Sequence, residues 1–419
     1  MHRKVQVFPL FIVPIIVSKR QVINIKTSEG PLQPCQKILQ FFSIFMLSLT
    51  AIAYAEDVPF PQIGGGYNIG QIQWTFKDFS RSEVLAPKNS SAELCTSPGA
   101  WRSIPLTIYY PVDFGTTNAT NTRAQYIPSS VARALGLPGN VSNLRKRAFP
   151  GAPISREKDK FPVIIFSPGL EISTIFYTAL LEELAAHGFI IFAVSHPYMS
   201  GQVYIPENDC ILAQPPLPTE RTELLKLLDK MIGENIKDFD FISLVIKKLN
   251  ASAGGFKNKI DEKNIIFMGH SGGGMSATIH CSRDTIRCAA AINLDGGHID
   301  GDDIEIDGAW ITSKRTPYLK IHSASFPGKD QIPPSLFGKN QFLLDINRID
   351  HRTFSDLAFF PGRILDPNGH LLSAQDSHHL IGHHLLAFLD AVVKEKKFSW
   401  PRFSPGLEKE LKRFPRASK

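Results

Sequence analysis

The sequence predicts an α/β fold in which a mostly parallel central sheet is covered by helices on both faces. Three observations carry that expectation. Short continuous apolar runs recur along the chain, at Phe161–Ser167 (FPVIIFS), Phe189–Ser195 (FIIFAVS), Asn264–Met268 and Ala289–Leu294 (AAAINL). A strand without a polar side must be buried on both faces, as the strands of a parallel sheet are. Segments of helical spacing separate these runs, and strand alternating with helix is the mark of successive crossover units. Finally, Gly269-His270-Ser271-Gly272-Gly273 matches G-x-S-x-G and lies between an apolar run and a helix-compatible segment that begins at Met275.

That junction organises the chain. A buried strand ends, the backbone turns sharply, and a serine is left exposed at the tip. The turn imposes unfavourable backbone angles on the serine, and side chains at positions 269 and 273 would collide with the adjoining strand and helix. This is the pattern of a nucleophile elbow, so the predicted architecture is the α/β-hydrolase fold with Ser271 as nucleophile. A glycine-rich turn with an incidental serine is the alternative reading of the same residues.

The elements follow in order. Residues 1–55 form a leader: Lys37 precedes the apolar run Ile38–Ala53, which ends in Ala53-Tyr54-Ala55. A basic flank, an apolar core and a small-x-small end describe a secretory signal peptide cleaved after Ala55, with an uncleaved membrane anchor as the alternative. A second apolar run, Val5–Val17, is broken by Pro9 and Pro14. Residues 56–393 form one catalytic domain. It opens with Gly/Pro-rich loops holding a strand at Gly70–Phe76, then a strand at Ile104–Tyr110 that Pro111 stops. Residues 113–160 are polar and rich in turn residues, too long for an ordinary loop, and read as a lid-like insertion with short helices at Ser129–Leu137 and Ser142–Phe149. The two buried strands flank a helix, Ile175–His187, ended by Gly188. A Pro-rich loop, Tyr198–Glu220, leads into a long helix from Thr222 towards Leu249 with an interruption at Gly233. Further strands are expected at Pro317–Ser323 and Gln341–Ile349, and a last amphipathic helix at Ser373–Val393. Residues 394–419 are a basic tail carrying Phe398, Trp400 and Phe403, either a solvated end or a segment resting on an anionic membrane surface.

Charge and cysteine usage narrow the function. The formal net charge of +7 arises largely in the leader, which holds six Lys/Arg and one acidic residue and leaves 40 basic against 38 acidic groups in the remainder. Nucleic acid is therefore not an indicated partner. After the leader, Cys95, Cys210, Cys281 and Cys288 allow one or two disulfides or buried thiols. No cysteine–histidine set has zinc spacing, and the i, i+4 histidines among His378, His379, His383 and His384 lack a third ligand at matching spacing. Neither metal nor cofactor is expected. Asn89, Asn118, Asn140 and Asn250 begin N-x-S/T triplets.

A serine hydroxyl needs a base, and the base needs an acid to fix its tautomer; in this fold the chain order is Ser, acid, His. His351 directly follows the strand Gln341–Ile349, where the base belongs, with His370 as the second candidate. Asp295 stands at the end of the strand Ala289–Leu294, at Asn293-Leu294-Asp295-Gly296-Gly297. Asp330, after the next strand, occupies the more usual place but lies several residues into a loop. The oxyanion needs two backbone N–H groups. One belongs to Gly272. The other falls to Leu170 or Gly169 in the turn Ser167-Pro168-Gly169-Leu170, because Pro168 has no N–H.

Four blocks in order resemble the plasma-type platelet-activating-factor acetylhydrolase family over roughly Ile104 to Val392. They are Phe166-Ser167-Pro168-Gly169-Leu170; Tyr177 with Leu184-Ala185-Ala186-His187-Gly188-Phe189-Ile190; Ile286-Arg287-Cys288 leading into Leu294-Asp295; and Ile349-Asp350-His351-Arg352-Thr353-Phe354-Ser355-Asp356. The resemblance implies a Ser271–Asp295–His351 triad with oxyanion donors at Leu170 and Gly272. It further implies a calcium-independent, cofactor-free hydrolase removing short or oxidised acyl chains from phospholipids. Pro168 stands where the family has histidine, and Gly272 where it usually has phenylalanine; both positions line the acyl site. The sequence therefore predicts a secreted serine esterase whose partners are a phospholipid and, peripherally, a membrane surface. The same triad acting on small soluble esters or polyesters, and a catalytically silent exported binding protein, are the alternatives.

Overall fold

The structure is a computed structural model. It describes residues 60–61, 64–87, 100–116, 120, 122–137, 139–252, 254–283, 288–297, 316–323, 340–359 and 370–414. The leader, Asp330, Cys95, Asn89, Asn118 and the Ile286-Arg287 pair lie outside the described residues.

The strands in chain order are β1 (Asn68–Ser82), β2 (Trp101–Val112), β3 (Phe149–Pro150), β4 (Phe161–Ser167), β5 (Ile190–Val194), β6 (Gln202–Ile205), β7 (Cys210–Ala213), β8 (Ile260–His270), β9 (Ala290–Leu294), β10 (Tyr318–Ser323), β11 (Gln341–Ile346) and β12 (Leu411–Phe414). The α-helices are α1 (Ser129–Ala134), α2 (Thr178–Ala186), α3 (Arg221–Ala251), α4 (Gly272–Ser282), α5 (Ala374–Val393) and α6 (Pro405–Glu408). One ten-stranded sheet runs β12-β11-β10-β9-β8-β4-β5-β2-β1-β3, with β6 and β7 as a separate hairpin. Its centre, from β11 through β10, β9, β8 and β4 to β5, is parallel. β12, β2 and β1 are antiparallel additions.

β4 shows why this sheet needs cover on both sides. Val163 and Ile165 join a cluster with Phe239, Ile242 and Ile246 of α3. Ile164 and Phe166 join a second cluster with Leu180 and Leu184 of α2 and Leu380 and Leu385 of α5. Alternate residues point to opposite faces, so an apolar residue at every position requires helices above and below. Each such side chain contributes about 1.5–3 kcal/mol by leaving water. β4 is also where strand order reverses, since β5 follows on one side and β8 on the other. In open α/β sheets the crevice beyond the carboxyl ends of the strands at such a reversal is where ligands bind.

The structure departs from expectation in five places. β2 continues through Pro111, which pairs with Ile69 of β1. β5 reaches only Leu106–Tyr109, so Pro111 sits at a sheet edge where its missing N–H breaks no ladder. α3 runs unbroken through Gly233; the helix is long, and Glu220 accepts from the N–H groups of Thr222 and Glu223 at its start. Ser142–Phe149 is not helical beyond a short 3₁₀ turn at Gly139–Asn143, and Phe149 instead pairs with Gly70 in β1. Tyr126, Ile127 and Val131 of the insertion are fully buried in the α2 cluster. The Pro-rich loop contains the β6–β7 hairpin.

The tail is the fifth departure. Leu411–Phe414 adds an edge strand to β11, and Phe398 and Trp400 pack on Phe342, at 4.6 and 5.7 Å between ring centroids. Phe403 stacks on His384. The aromatic residues that made this segment look membrane-seeking are thus partly buried against the body of the protein.

Candidate active site

Ser271 lies between β8 and α4 with φ 54° and ψ −124°, a left-handed-side conformation that non-glycine residues adopt only under constraint. The constraint is visible at its flanks. A Cβ on Gly269 would come within 2.3 Å of the Gly273 backbone, and one on Gly273 within 2.3 Å of the Ser167 carbonyl oxygen. Helix and strand approach too closely for any side chain, as the sequence pattern requires. The Ser271 N–H donates to the Leu294 carbonyl at 2.9 Å, tying the turn to the end of β9.

Asp295 is the next residue after β9, fully buried, with φ 51°. Its backbone N–H donates to Ile321 at 2.7 Å, and its carboxylate accepts from the Ser323 N–H (2.7 Å), Ser323 Oγ (2.6 Å) and His351 Nδ1 (2.7 Å). Burial opposes the charge, but the hydrogen bond and charge of His351 and the two donors of Ser323 outweigh it. The carboxyl is held below the ordinary aspartate range. His351 starts a 3₁₀ turn after β11, capped by Asp350, which exchanges hydrogen bonds with Thr353. Because the carboxylate can only accept, His351 Nδ1 carries the proton and Nε2 is left to act as a base.

The two proposed oxyanion donors come from different elements. Gly272 is the first residue of α4, and N–H groups at a helix start have no intrahelical partner and favour negative charge. In the turn after β4, the Gly169 N–H already donates to Tyr177 Oη at 3.0 Å, which leaves Leu170 of the two residues considered. Leu170 also packs over Gly272, whose Cβ would come within 3.1 Å of Leu170 Cγ. β4, β8, β9 and β10 end level in register: Ser167 is opposite Gly269, Gly269 opposite Asn293, and Leu294 opposite Ile321. Parallel pairing therefore delivers Leu170, Ser271 and Asp295 to one end of the sheet.

Three residues at this site were not singled out for it from sequence. Ser323 ends β10 beside Asp295, a position that strand-end reasoning could have flagged. Tyr177 Oη accepts from Gly169 and so donates to His270 Nδ1 at 2.8 Å. The His270 ring lies 4.4 Å from that of His351 and stacks on Phe354 at 5.6 Å. Burial, with His351 adding to it, pushes His270 well below the ordinary imidazole range, so it stays neutral.

Other candidates fall elsewhere. His370 accepts from Arg348 through its carbonyl, and the histidine bonded to Asp295 is His351. His383 and His384 donate to the carbonyls of His379 and Leu380 on their own helix. Among the described residues no group of three or more His, Cys, Asp or Glu is placed to hold a metal. Cys281 and Cys288 form a disulfide, and Cys210 is disulfide-bonded as well. The Asn250 amide is used internally, donating to Glu262 and accepting from the Ile260 N–H.

Comparison with known proteins places this geometry. Residues 52–209 match the family model described as platelet-activating factor acetylhydrolase, isoform II. A platelet-activating factor acetylhydrolase of Gallus gallus is 27% identical over 287 residues, covering 57% of this chain and 64% of that protein. One of Canis lupus familiaris is 25% identical over 350 residues, covering 76% and 73%. The alignment thus spans under two thirds of the length of the chicken relative. A solved structure of a ferulic acid esterase from Streptomyces cinnamoneus superposes with a TM-score of 0.59 at 22% identity, over 86% of this chain and 98% of that one, and bears on the fold. The chain has the α/β-hydrolase fold. Over part of its length it is similar to the platelet-activating factor acetylhydrolases, the family its four sequence blocks resemble.

Proposed function

We propose that the protein is an exported serine hydrolase that cleaves short or oxidised acyl chains from phospholipids without calcium. Ser271 Oγ attacks the acyl carbonyl while His351 Nε2 takes its proton. Asp295 accepts the Nδ1–H bond and stabilises the imidazolium, and the N–H groups of Leu170 and Gly272 receive the oxyanion. His351 then returns the proton to the leaving lysophospholipid oxygen, and water, activated by the same base, cleaves the acyl-enzyme. The observation that carries this reading is the 2.7 Å hydrogen bond from His351 to a buried Asp295, at the strand end tied to Ser271. The substrate class rests on the relatives' printed activity. Export rests on the pattern of residues 38–55; no helix among the described residues is long and apolar enough to cross a membrane.

The acyl side supports a second reading. Gly272, at a position where the family usually carries phenylalanine, lets the Leu170 side chain close over it. An altered wall at this point suits a small soluble ester as well as an acetyl phospholipid. Hydrolysis of short- against long-acyl phosphatidylcholine in EDTA, by residues 56–419 and by Ser271→Ala, separates the two. Serine-dependent release from the short-chain lipid is the expected result. Cleavage of a nitrophenyl ester with neither lipid attacked would keep the mechanism and replace the substrate, and inactivity on all three would leave a binding protein.

A further inference from the structure

Behind the proposed oxyanion turn lies another serine, histidine and aspartate in the same hydrogen-bonded order. Ser167 Oγ is 2.9 Å from His196 Nε2, and His196 Nδ1 is 2.8 Å from Asp238 Oδ2. All three residues are fully buried. Asp238 also receives Arg102 through Nε and Nη2, both at 2.7 Å, and Arg81 through Nη2 at 2.7 Å. Arg102 continues to Glu83 at 2.8 Å, and Arg81 to Glu234 at 3.0 Å and Asp78 at 2.7 Å. The network thus joins β1, β2 and α3 to the ends of β4 and β5.

The direction of the chain is fixed by chemistry. A carboxylate held by two guanidinium groups can only accept, so His196 Nδ1 donates to it and Nε2 must accept the Ser167 hydroxyl proton. Burial holds His196 below the ordinary imidazole range, which agrees with a neutral ring. Ser167 is enclosed on its other side too, because its carbonyl abuts the start of α4 at Gly273. No ester can reach it, so it is not a second nucleophile. Ion networks of this kind are not needed for stability, since apolar residues of equal volume commonly stabilise a core as well. What a directed, fully satisfied network adds is a fixed position for its last atom.

We propose that Ser167, His196 and Asp238 are a positioning relay that fixes the end of β4, and with it the turn Pro168-Gly169-Leu170, so that the Leu170 N–H points at the developing oxyanion. The proposal rests on the serine-hydrolase reading above. It assigns to the relay the transition-state contact rather than ground-state binding. Misplacing one donor by a fraction of an ångström lowers kcat while leaving KM in place.

The test compares wild type, Ser167→Ala and Ser167→Thr, each quantified by titrating Ser271 with an organophosphonate so that only folded sites are counted. Ser167→Ala should lower kcat on a nitrophenyl ester at least tenfold per titrated site with KM within twofold. It should weaken a trifluoromethyl ketone, which binds as the tetrahedral adduct, by a similar factor, and Ser167→Thr should restore both. A purely structural role would lower the melting temperature and leave kcat per site and ketone affinity unchanged, and that result would overturn the relay. Wild-type protein that neither reacts with the phosphonate nor turns over ester would remove the serine-hydrolase reading itself, and the relay with it.

Discussion

Asp295→Asn is the perturbation for which the geometry gives the sharpest expectation. The wild-type carboxylate accepts three hydrogen bonds from only two residues: Ser323 supplies its N–H and Oγ, and His351 supplies Nδ1–H at 2.7 Å. An asparagine keeps its oxygen where the Ser323 N–H at 2.7 Å requires an acceptor. Its NH₂ must then face His351 Nδ1 and the rotatable hydroxyl of Ser323. Donating to Nδ1, it would move the imidazole proton to Nε2, the atom that has to accept the Ser271 proton. The fold should survive, because the residue is isosteric and the hydroxyl can turn to accept. The base, however, is in the wrong tautomer. The loss expected is on the order of 10⁴ in kcat, or about 5.5 kcal/mol of transition-state stabilisation. The assay is steady-state hydrolysis of a short-chain nitrophenyl ester, with circular dichroism and thermal unfolding confirming the fold. A folded variant within tenfold of wild-type kcat would refute the assignment of Asp295 as the orienting acid.

Further outcomes follow from other contacts. Tyr177→Phe leaves the buried Gly169 N–H and His270 Nδ1 without their partner, so we expect about 1–3 kcal/mol of lost stability and a ten- to hundredfold lower kcat, read by denaturant melts and kinetics. Gly273→Ala forces a methyl to 2.3 Å from the Ser167 carbonyl, a backbone clash expected to cost at least about 1–3 kcal/mol, measured as the shift in the urea midpoint. Asp356 accepts from the N–H groups of Thr178 and Ala179 and from Tyr126, yet burial raises its carboxyl to about 7. The native state then holds a proton the unfolded chain releases near pH 4. Wild-type stability should therefore fall relative to Asp356→Asn between about pH 4 and 7, by a few kcal/mol, and run parallel above. Truncation after Lys394 removes β12 and uncovers Phe342 and Phe388, so it should lower the melting temperature and the soluble yield; an unchanged melt would return the tail to a solvated end.

The central sheet and the candidate site were legible because their signals are local. Val163 to Phe166 are apolar at every position, which only a strand covered on both faces can satisfy, and Gly269 and Gly273 flank Ser271 where backbone meets backbone. Strand-end placement pointed to His351 unaided, whereas the choice of Asp295 over Asp330 rested on the family resemblance as well. What escaped depends on packing between distant segments. Nothing near Pro111 shows that one partner strand ends short of it, leaving the proline at an edge. Nothing near Phe398 and Trp400 shows that Phe342 awaits them. Gly233 reads as a break only while the helix around it is judged residue by residue. The place of His270 between His351 and Phe354 comes from a crossover of about 80 residues that no motif describes.

The central claim, that Ser271 is the nucleophile, is tested most directly by mass spectrometry of protein inactivated with a nitrophenyl organophosphate. The account predicts one adduct per chain, on the peptide containing Ser271, accumulating in step with loss of esterase activity and absent from Ser271→Ala. Complete inactivation with the adduct on another residue, or ester turnover that persists in Ser271→Ala, would contradict it.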